Sequence, residues 1–454
     1  MTLLVRAVLF MTCVQIAASQ TLELTSFLAE VEKAHPSLRA AQFEPELAEA
    51  EIRNALGRFD PVLNAQYQYK DKDGLDKINT FDAAVELPIN TLFGPKVKAG
   101  FSRGLGTSIN PESSTALAGE ASLGISLPLF QGIFTDARRN NLRKAYLRPE
   151  LAQAQFRQER NNLLRAAAMA YWTWSEAETA VAVADTLLEL AERRLAQISR
   201  RARAGESAVI DSIEIAQEVL RRRGERFRAM RMAEQARVDA SVFLWNGDGT
   251  PVPLNGAPIA LPESGSPPEA DDALISRART LRPELRRAEV LQQTARLDQD
   301  LARELMRPFV EAEASLLSSD LAKGVGSPDY KVGFRVAQPL LFRSASAQNQ
   351  VADITVQRAD LQKIIIERTV DADVQNAAIA VRRALERLDA AITETNLSRL
   401  MVLAEQRRLE AGEGTLLTLN IRERFFAEAL QRRVTAQADL ARALMLLRWA
   451  TGTI

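Results

Sequence analysis

Apolar residues recur at steps of three and four along two very long stretches, 137–203 and 345–409. Leu187, Ala191, Leu195, Ile198 and Ala202 illustrate the first. This spacing gathers apolar side chains on one face of an α-helix. At 1.5 Å per residue each stretch would reach roughly 100 Å, too long for the core of a globule, so it needs lateral helical partners. Pro149 lies inside the first stretch and predicts a local bend or break. Shorter helical patterns run back over 211–245 and 419–449, after turns that hold Gly205, Gly412 and Gly414. Helices are also expected over 36–56 and 271–306, with Pro36 and Pro283 in first turns where a missing N–H costs nothing. In 61–130 and 308–342 the period changes to two, as in Leu123-Gly124-Ile125-Ser126-Leu127 and Val332-Gly333-Phe334-Arg335-Val336, and strands are expected.

The chain repeats this order. His35-Pro36-Ser37-Leu38-Arg39-Ala40-Ala41 returns as Arg282-Pro283-Glu284-Leu285-Arg286-Arg287-Ala288. In the same register Pro61-Val62-Leu63 returns as Pro308-Phe309-Val310. Leu127-Pro128-Leu129-Phe130 pairs with Gln338-Pro339-Leu340-Leu341-Phe342, and Arg203-Ala204-Gly205-Glu206-Ser207 with Glu410-Ala411-Gly412-Glu413-Gly414. A period near 200 residues marks a duplicated unit and not a solenoid of short repeats. The expected organisation is a leader over 1–19, a first repeat over 20–245, a linker over 246–270 and a second repeat over 271–454. The linker holds six of the 18 prolines and four of the 21 glycines.

Composition narrows the chemistry. The 454 residues carry 58 Lys+Arg and 58 Asp+Glu, and 48 of the bases are Arg. A zero net charge argues against nucleic acid as a partner. Apolar residues make up 46% and charged residues 26%, which suits an ordered chain. No run of 18 apolar residues occurs, so a bundle of hydrophobic membrane helices is excluded. One Cys and one His leave no disulfide framework, no zinc cluster and little scope for His-based catalysis. No phosphate loop, nucleophile elbow or metal-ligand spacing stands out, so no catalytic, cofactor or metal residue is expected. Residues 1–19 combine Arg6, a short apolar run and the small residues Ala17-Ala18-Ser19, the pattern of a secretory leader. Cys13 raises a second possibility, lipidation. Tyr171-Trp172 with Trp174 reads as packing, and Arg221-Arg222-Arg223 and Arg432-Arg433 read as wet, ion-paired faces.

A secreted chain with period-two strands and no hydrophobic helix points to an outer-membrane barrel. A handful of strands encloses no usable lumen, so copies must share it. The duplicated unit, the paired Pro-x-Leu helix starts, the two strand ends and the Gly turns together resemble the outer-membrane efflux proteins, the TolC-like channel-tunnels. The resemblance covers about 21–451. It implies a mixed α and β membrane channel: a long, coiled-coil-like α-helical barrel in the periplasm and a β-barrel in outer-membrane lipid shared by a homotrimer. It also implies an adaptor (membrane fusion) protein docked at the tunnel tip and an inner-membrane transporter behind it. The function expected is export from an efflux or type I secretion complex. The alternative is a periplasmic coiled-coil scaffold without a channel.

The first strand zone departs from this family. Pro61 to Pro128 spans 67 residues against 31 from Pro308 to Pro339, an excess of about 36. Four core strands are expected, with the excess forming an added hairpin that either enlarges the barrel or makes a flap. The second departure concerns the pore. The resemblance places an acidic constriction just past the turns, at Asp211 and Glu214 in the first repeat. The matching position in the second is Thr418, without an acid. Asp211 could equally be the N-cap of the returning helix. The adaptor contacts are expected at Gly205, Glu206, Ser207, Gly412, Glu413, Gly414 and Thr415, where glycine could also serve only to reverse the chain.

Overall fold

The computed structural model describes residues 21–72, 74–205, 208–319 and 329–454. The expected leader, with Cys13, lies outside them. In chain order the elements are β1 (Thr21–Leu22), α1 (Leu24–Ala34), α2 (Pro36–Ala41), α3 (Glu44–Leu56), β2 (Val62–Lys72), β3 (Leu75–Pro88), β4 (Lys96–Leu105) and β5 (Glu120–Pro128). There follow α4 (Ala137–Arg203), α5 (Val209–Ser241), β6 (Ala257–Pro258), α6 (Asp271–Leu281), α7 (Pro283–Glu304), β7 (Phe309–Ser318), β8 (Asp329–Ala337), α8 (Arg343–Glu410) and α9 (Leu416–Ala450). Both long helices form. Pro149 stays inside α4, so the expected break there is absent. The expected helix 271–306 is divided at Arg282, and 36–56 is divided between Ala41 and Glu44, with Pro45 in the first turn of α3. Arg282, and His35 between α1 and α2, adopt extended backbone, since a residue before proline is pushed out of the helical region.

The chain forms two compact units, and each takes segments from both sequence repeats. One comprises Glu159–Leu281 and Val370–Ile454 with the N-terminal segment through Arg39; the other comprises Ala40–Gln158 and Arg282–Thr369. In the first unit, Phe27 and Val31 of α1 pack with Leu164, Tyr171 and Trp174 of α4, with Ala236 and Ala240 of α5, and with Val434 and Ala438 of α9. Alanines fill many of the closest positions: Ala167, Ala168, Ala377, Ala378, Ala429 and Ala438 are fully buried. Small side chains let long helices approach without voids. The linker 246–270 is packed here: Leu254 and Leu261 join the core, and Ala257–Pro258 pairs in parallel with Thr21–Leu22. Tyr171 fixes that pairing, its hydroxyl donating to the Leu22 carbonyl at 2.5 Å and accepting from the Ile259 N–H at 2.9 Å. The aromatic cluster is therefore packing, as its helical position suggests.

The second unit holds one six-stranded antiparallel sheet in the order β2-β3-β4-β5-β7-β8. The added hairpin expected from the excess residues is present, and it pairs into the same sheet as the four core strands. The excess residues of the first repeat form β3 and β4, inserted between β2 and β5. Register divides every strand into two faces. Leu63, Val85, Ala99, Leu123, Leu316 and Tyr330 follow one another across the sheet as direct partners. So do Ala83, Phe101 and Ala121, and so do Leu87, Val97, Ile125, Ala314 and Val332. The alternate positions read Asn64, Ala84, Gly100, Ser122, and Glu86, Lys98, Gly124, Ser315, Lys331. One face is thus apolar from edge to edge and the other polar. The apolar face is bare: Leu63 is 68% exposed, Tyr67 63%, Tyr330 80% and Phe334 71%.

The turn between β3 and β4 is clamped to the start of α4. Arg139 is 4% exposed. Its guanidinium donates to the carbonyls of Thr91 and Ile133 at 3.1 Å, to those of Leu92 and Gly132, and to Asp136 Oδ2 at 3.1 Å. Asp136 in turn accepts from the Arg138 and Arg139 N–H groups, capping α4. Buried Glu304 of α7 holds the neighbouring β5–α4 loop by accepting from the Gly132 N–H at 3.0 Å.

Candidate functional site at the helical turns

Both helical hairpins of the first unit reverse through glycine. Gly205 and Gly412 have φ of +76° and +80°, a left-handed conformation that costs an L-residue with a side chain. Neither meets any neighbour that would reject a Cβ, so backbone conformation alone requires glycine. The second turn closes α8 with a Schellman motif: the Gly412 N–H donates to the Leu409 carbonyl at 3.2 Å and the Glu413 N–H to the Arg408 carbonyl at 2.9 Å. Gly414 is needed for a different reason, since a Cβ there would lie 2.9 Å from the Leu409 nitrogen. Glu413 is exposed. Glu206 and Ser207 lie outside the described residues.

The returning helices begin in different ways. Thr415 caps α9, its hydroxyl accepting from the Thr418 N–H at 3.2 Å and meeting the Thr418 hydroxyl at 2.8 Å. Ala208 occupies the cap position of α5 and has no side-chain cap. Asp211 is therefore not the N-cap. It is the third helical residue, as Thr418 is in α9, so the duplication pairs the two positions. Asp211 is half-buried and Glu214 exposed. Among the described residues the Asp211 carboxylate has no hydrogen bond or ion pair, and its favourable setting is the positive end of the α5 backbone dipole. No hydrogen bond joins Asp211 to Thr418 within this chain among the described residues.

Four helices are tied together behind the turns. Arg223 reaches Glu192 and Arg226 reaches Asp185, linking α5 to α4. Arg432 reaches Glu394 and Arg387 reaches Asp439, linking α9 to α8. The cross-link that the sequence did not suggest is Arg194 of α4 with Glu423 of α9, whose side chains are only 11% and 14% exposed. No spacing within one helix could reveal a pair 229 positions apart. The arginine clusters are mostly wet, ion-paired faces, and Glu218 raises the Arg221 pKa by hydrogen bonding. Arg222 departs from that reading: it is 6% exposed and held by Glu218 at 2.8 Å and Glu225 at 3.0 Å. Beside it a groove of about 470 Å³ lies between α4, α5 and α9, floored by Ala177, Ala180, Val183 and Met232 and rimmed by Arg221, Arg228 and Glu428.

A two-faced antiparallel sheet in one chain with duplicated long helical hairpins is also the fold of solved outer-membrane channels. The fold matches MtrE of Neisseria gonorrhoeae in its open state with a TM-score of 0.67 at 18% identity, over 94% of this chain and 88% of that one. It matches VceC of Vibrio cholerae with a TM-score of 0.65 at 13% identity, over 94% and 96%. It matches CmeC of Campylobacter jejuni with a TM-score of 0.64 at 12% identity, over 95% and 85%. Residues 28–239 match the sequence profile of the family described as outer membrane efflux protein. That match takes in nearly all of the first repeat, and the solved channels share the fold along almost the whole chain. No curated protein matches the chain.

Proposed function

We propose that the chain is the outer-membrane exit duct of a periplasm-spanning efflux or type I secretion complex. Three copies share one barrel in outer-membrane lipid and continue it as a helical tunnel in the periplasm. The observation that carries this reading is the two-faced sheet. A bare apolar face of six strands is unstable in water and suits hydrocarbon, while its polar back suits a wet lumen. A coiled-coil scaffold gives that face no role. The inner-membrane transporter delivers cargo through an adaptor that engages the turns around Gly205, Glu206, Ser207 and Gly412, Glu413, Gly414, Thr415. Fractionation with unheated gel electrophoresis tests the assembly: a trimer in the outer membrane is expected, and a soluble monomer would exclude it.

Asp211, Glu214 and Thr418 form the constriction in this reading. An Asp211 carboxylate with no partner among the described residues is available to the pore, and a threefold ring of such groups attracts cations. Asp211→Ala is expected to raise single-channel conductance or weaken block by divalent cations in planar bilayers. Unchanged conductance and unchanged block would reduce Asp211 to a favourable charge at a helix start.

A further inference from the structure

We infer that the β3–β4 hairpin is part of the barrel wall, so that this chain contributes six strands and three copies close an 18-stranded barrel. The inference rests on the trimeric outer-membrane reading and adds the size and composition of its wall.

Three observations carry it. The first is continuity of the faces. Phe81, Ala83, Val85 and Leu87 of β3 and Val97, Ala99 and Phe101 of β4 fall on the same apolar face as their partners in β2 and β5. A flap in water has no reason to keep that register. The charged exceptions, Lys77 near the start of β3 and Arg103 opposite Phe81 near the end of β4, lie where a long side chain can reach the interface. On the polar face an ion-pair ladder runs from Glu86 of β3 to Lys96 of β4, on to Glu311 of β7 and to Arg335 of β8, at 3.6, 3.8 and 3.9 Å. The ladder is stitched across the inserted strands and the others alike.

The second observation is length. β3 has 14 residues and β4 has 10. A membrane-spanning β-strand needs about 9–11 residues. The third is anchorage. The turn joining β3 to β4 is gripped by buried Arg139 at the start of α4, so the hairpin rises from the helix-side rim and is not an excursion from the opposite end.

The free edges then specify the occupant. Among the described strands β2 and β8 have one neighbour each. Six antiparallel strands make these edges run in opposite directions, so β8 of one copy can pair antiparallel with β2 of the next all the way round. At about 4.8 Å between strands and a tilt of about 40°, 18 strands give a cylinder roughly 36 Å across, against roughly 24 Å for 12.

Thiol labelling of the intact trimer in liposomes tests this. Cys13 is the only Cys of the sequence, so in a Cys13→Ser background each introduced thiol is unique. Val85→Cys and Ala99→Cys should react at least tenfold faster with a membrane-dissolved maleimide than with a charged, water-soluble thiosulfonate. Ala84→Cys and Ser102→Cys should show the reverse preference. Four positions that all react at the water-soluble rate would make the hairpin a flap and overturn the inference. Trimer on an unheated gel is the folding control, with Ala83→Cys replacing an outward variant that fails it. A wild-type chain absent from the outer membrane would instead defeat the underlying trimer reading, so the two failures are told apart.

Discussion

Arg139→Met should cost about 3–5 kcal/mol, the range for removing one partner of a buried ionic network. The methionine fills much of the volume but supplies no donor. The carbonyls of Thr91, Leu92, Gly132 and Ile133 would lose their shared partner, and Asp136 would lose its ion pair. Buried acceptors left unpaired carry the full penalty of desolvation. Arg139→Lys should fall between, because an ammonium keeps the charge but cannot spread across so many acceptors in one plane. Membrane channels seldom unfold reversibly, so the readout is kinetic. The temperature at which the trimer dissociates on a gel should fall, and protease should cut within 89–95. A Met variant with the dissociation temperature and protease resistance of the wild type would show that the turn is held by something other than Arg139.

That clamp also marks where reading the sequence succeeds and where it stops. The long helices were legible because 67 residues of three- and four-step periodicity admit one conformation, and Ala137–Arg203 begins and ends where the pattern does. The glycine turns were legible because φ near +80° selects glycine. The strand zones were visible as period two, but the number of wall strands was not. Alternation places each side chain on a face only relative to its own strand, and nothing in Phe81–Phe101 alone says that its face coincides with that of Leu63 or Leu123. Register decides it, and register comes from pairing. Arg139 lay hidden for a related reason. It is one arginine among 48, and its partners are main-chain carbonyls, which every residue has. The same holds for Arg194 and Glu423, which meet only because α4 and α9 are neighbours. Asp211 was picked out by the resemblance, six residues after Gly205, and the structure removes its N-cap reading, since the cap is Ala208.

Trp174→Ala should cost a comparable amount, about 3–5 kcal/mol for a large aromatic truncated in a packed core. Trp174 is fully buried, and its indole N–H donates to Glu178 at 3.0 Å. Its ring meets Tyr171 edge-on, with centroids 5.8 Å apart. The truncation therefore opens a cavity beside the one side chain that ties three chain segments together. Tyr171 holds the Leu22 carbonyl and the Ile259 N–H at once, and burial pushes the pKa of its phenol up. Loosening that ring should release the β1–β6 pairing before the long helices respond. Hydrogen exchange should rise first at 21–22 and 254–261. Tyr171→Phe should release the same segments at smaller cost, about 1–3 kcal/mol, because it removes two hydrogen bonds and little volume. Faster exchange spread evenly along α4 in both variants would mean that the aromatic cluster supports the helix itself, and that the linker is held mainly by Arg237 on the Leu254 carbonyl and by Ser175 on the Ile259 carbonyl.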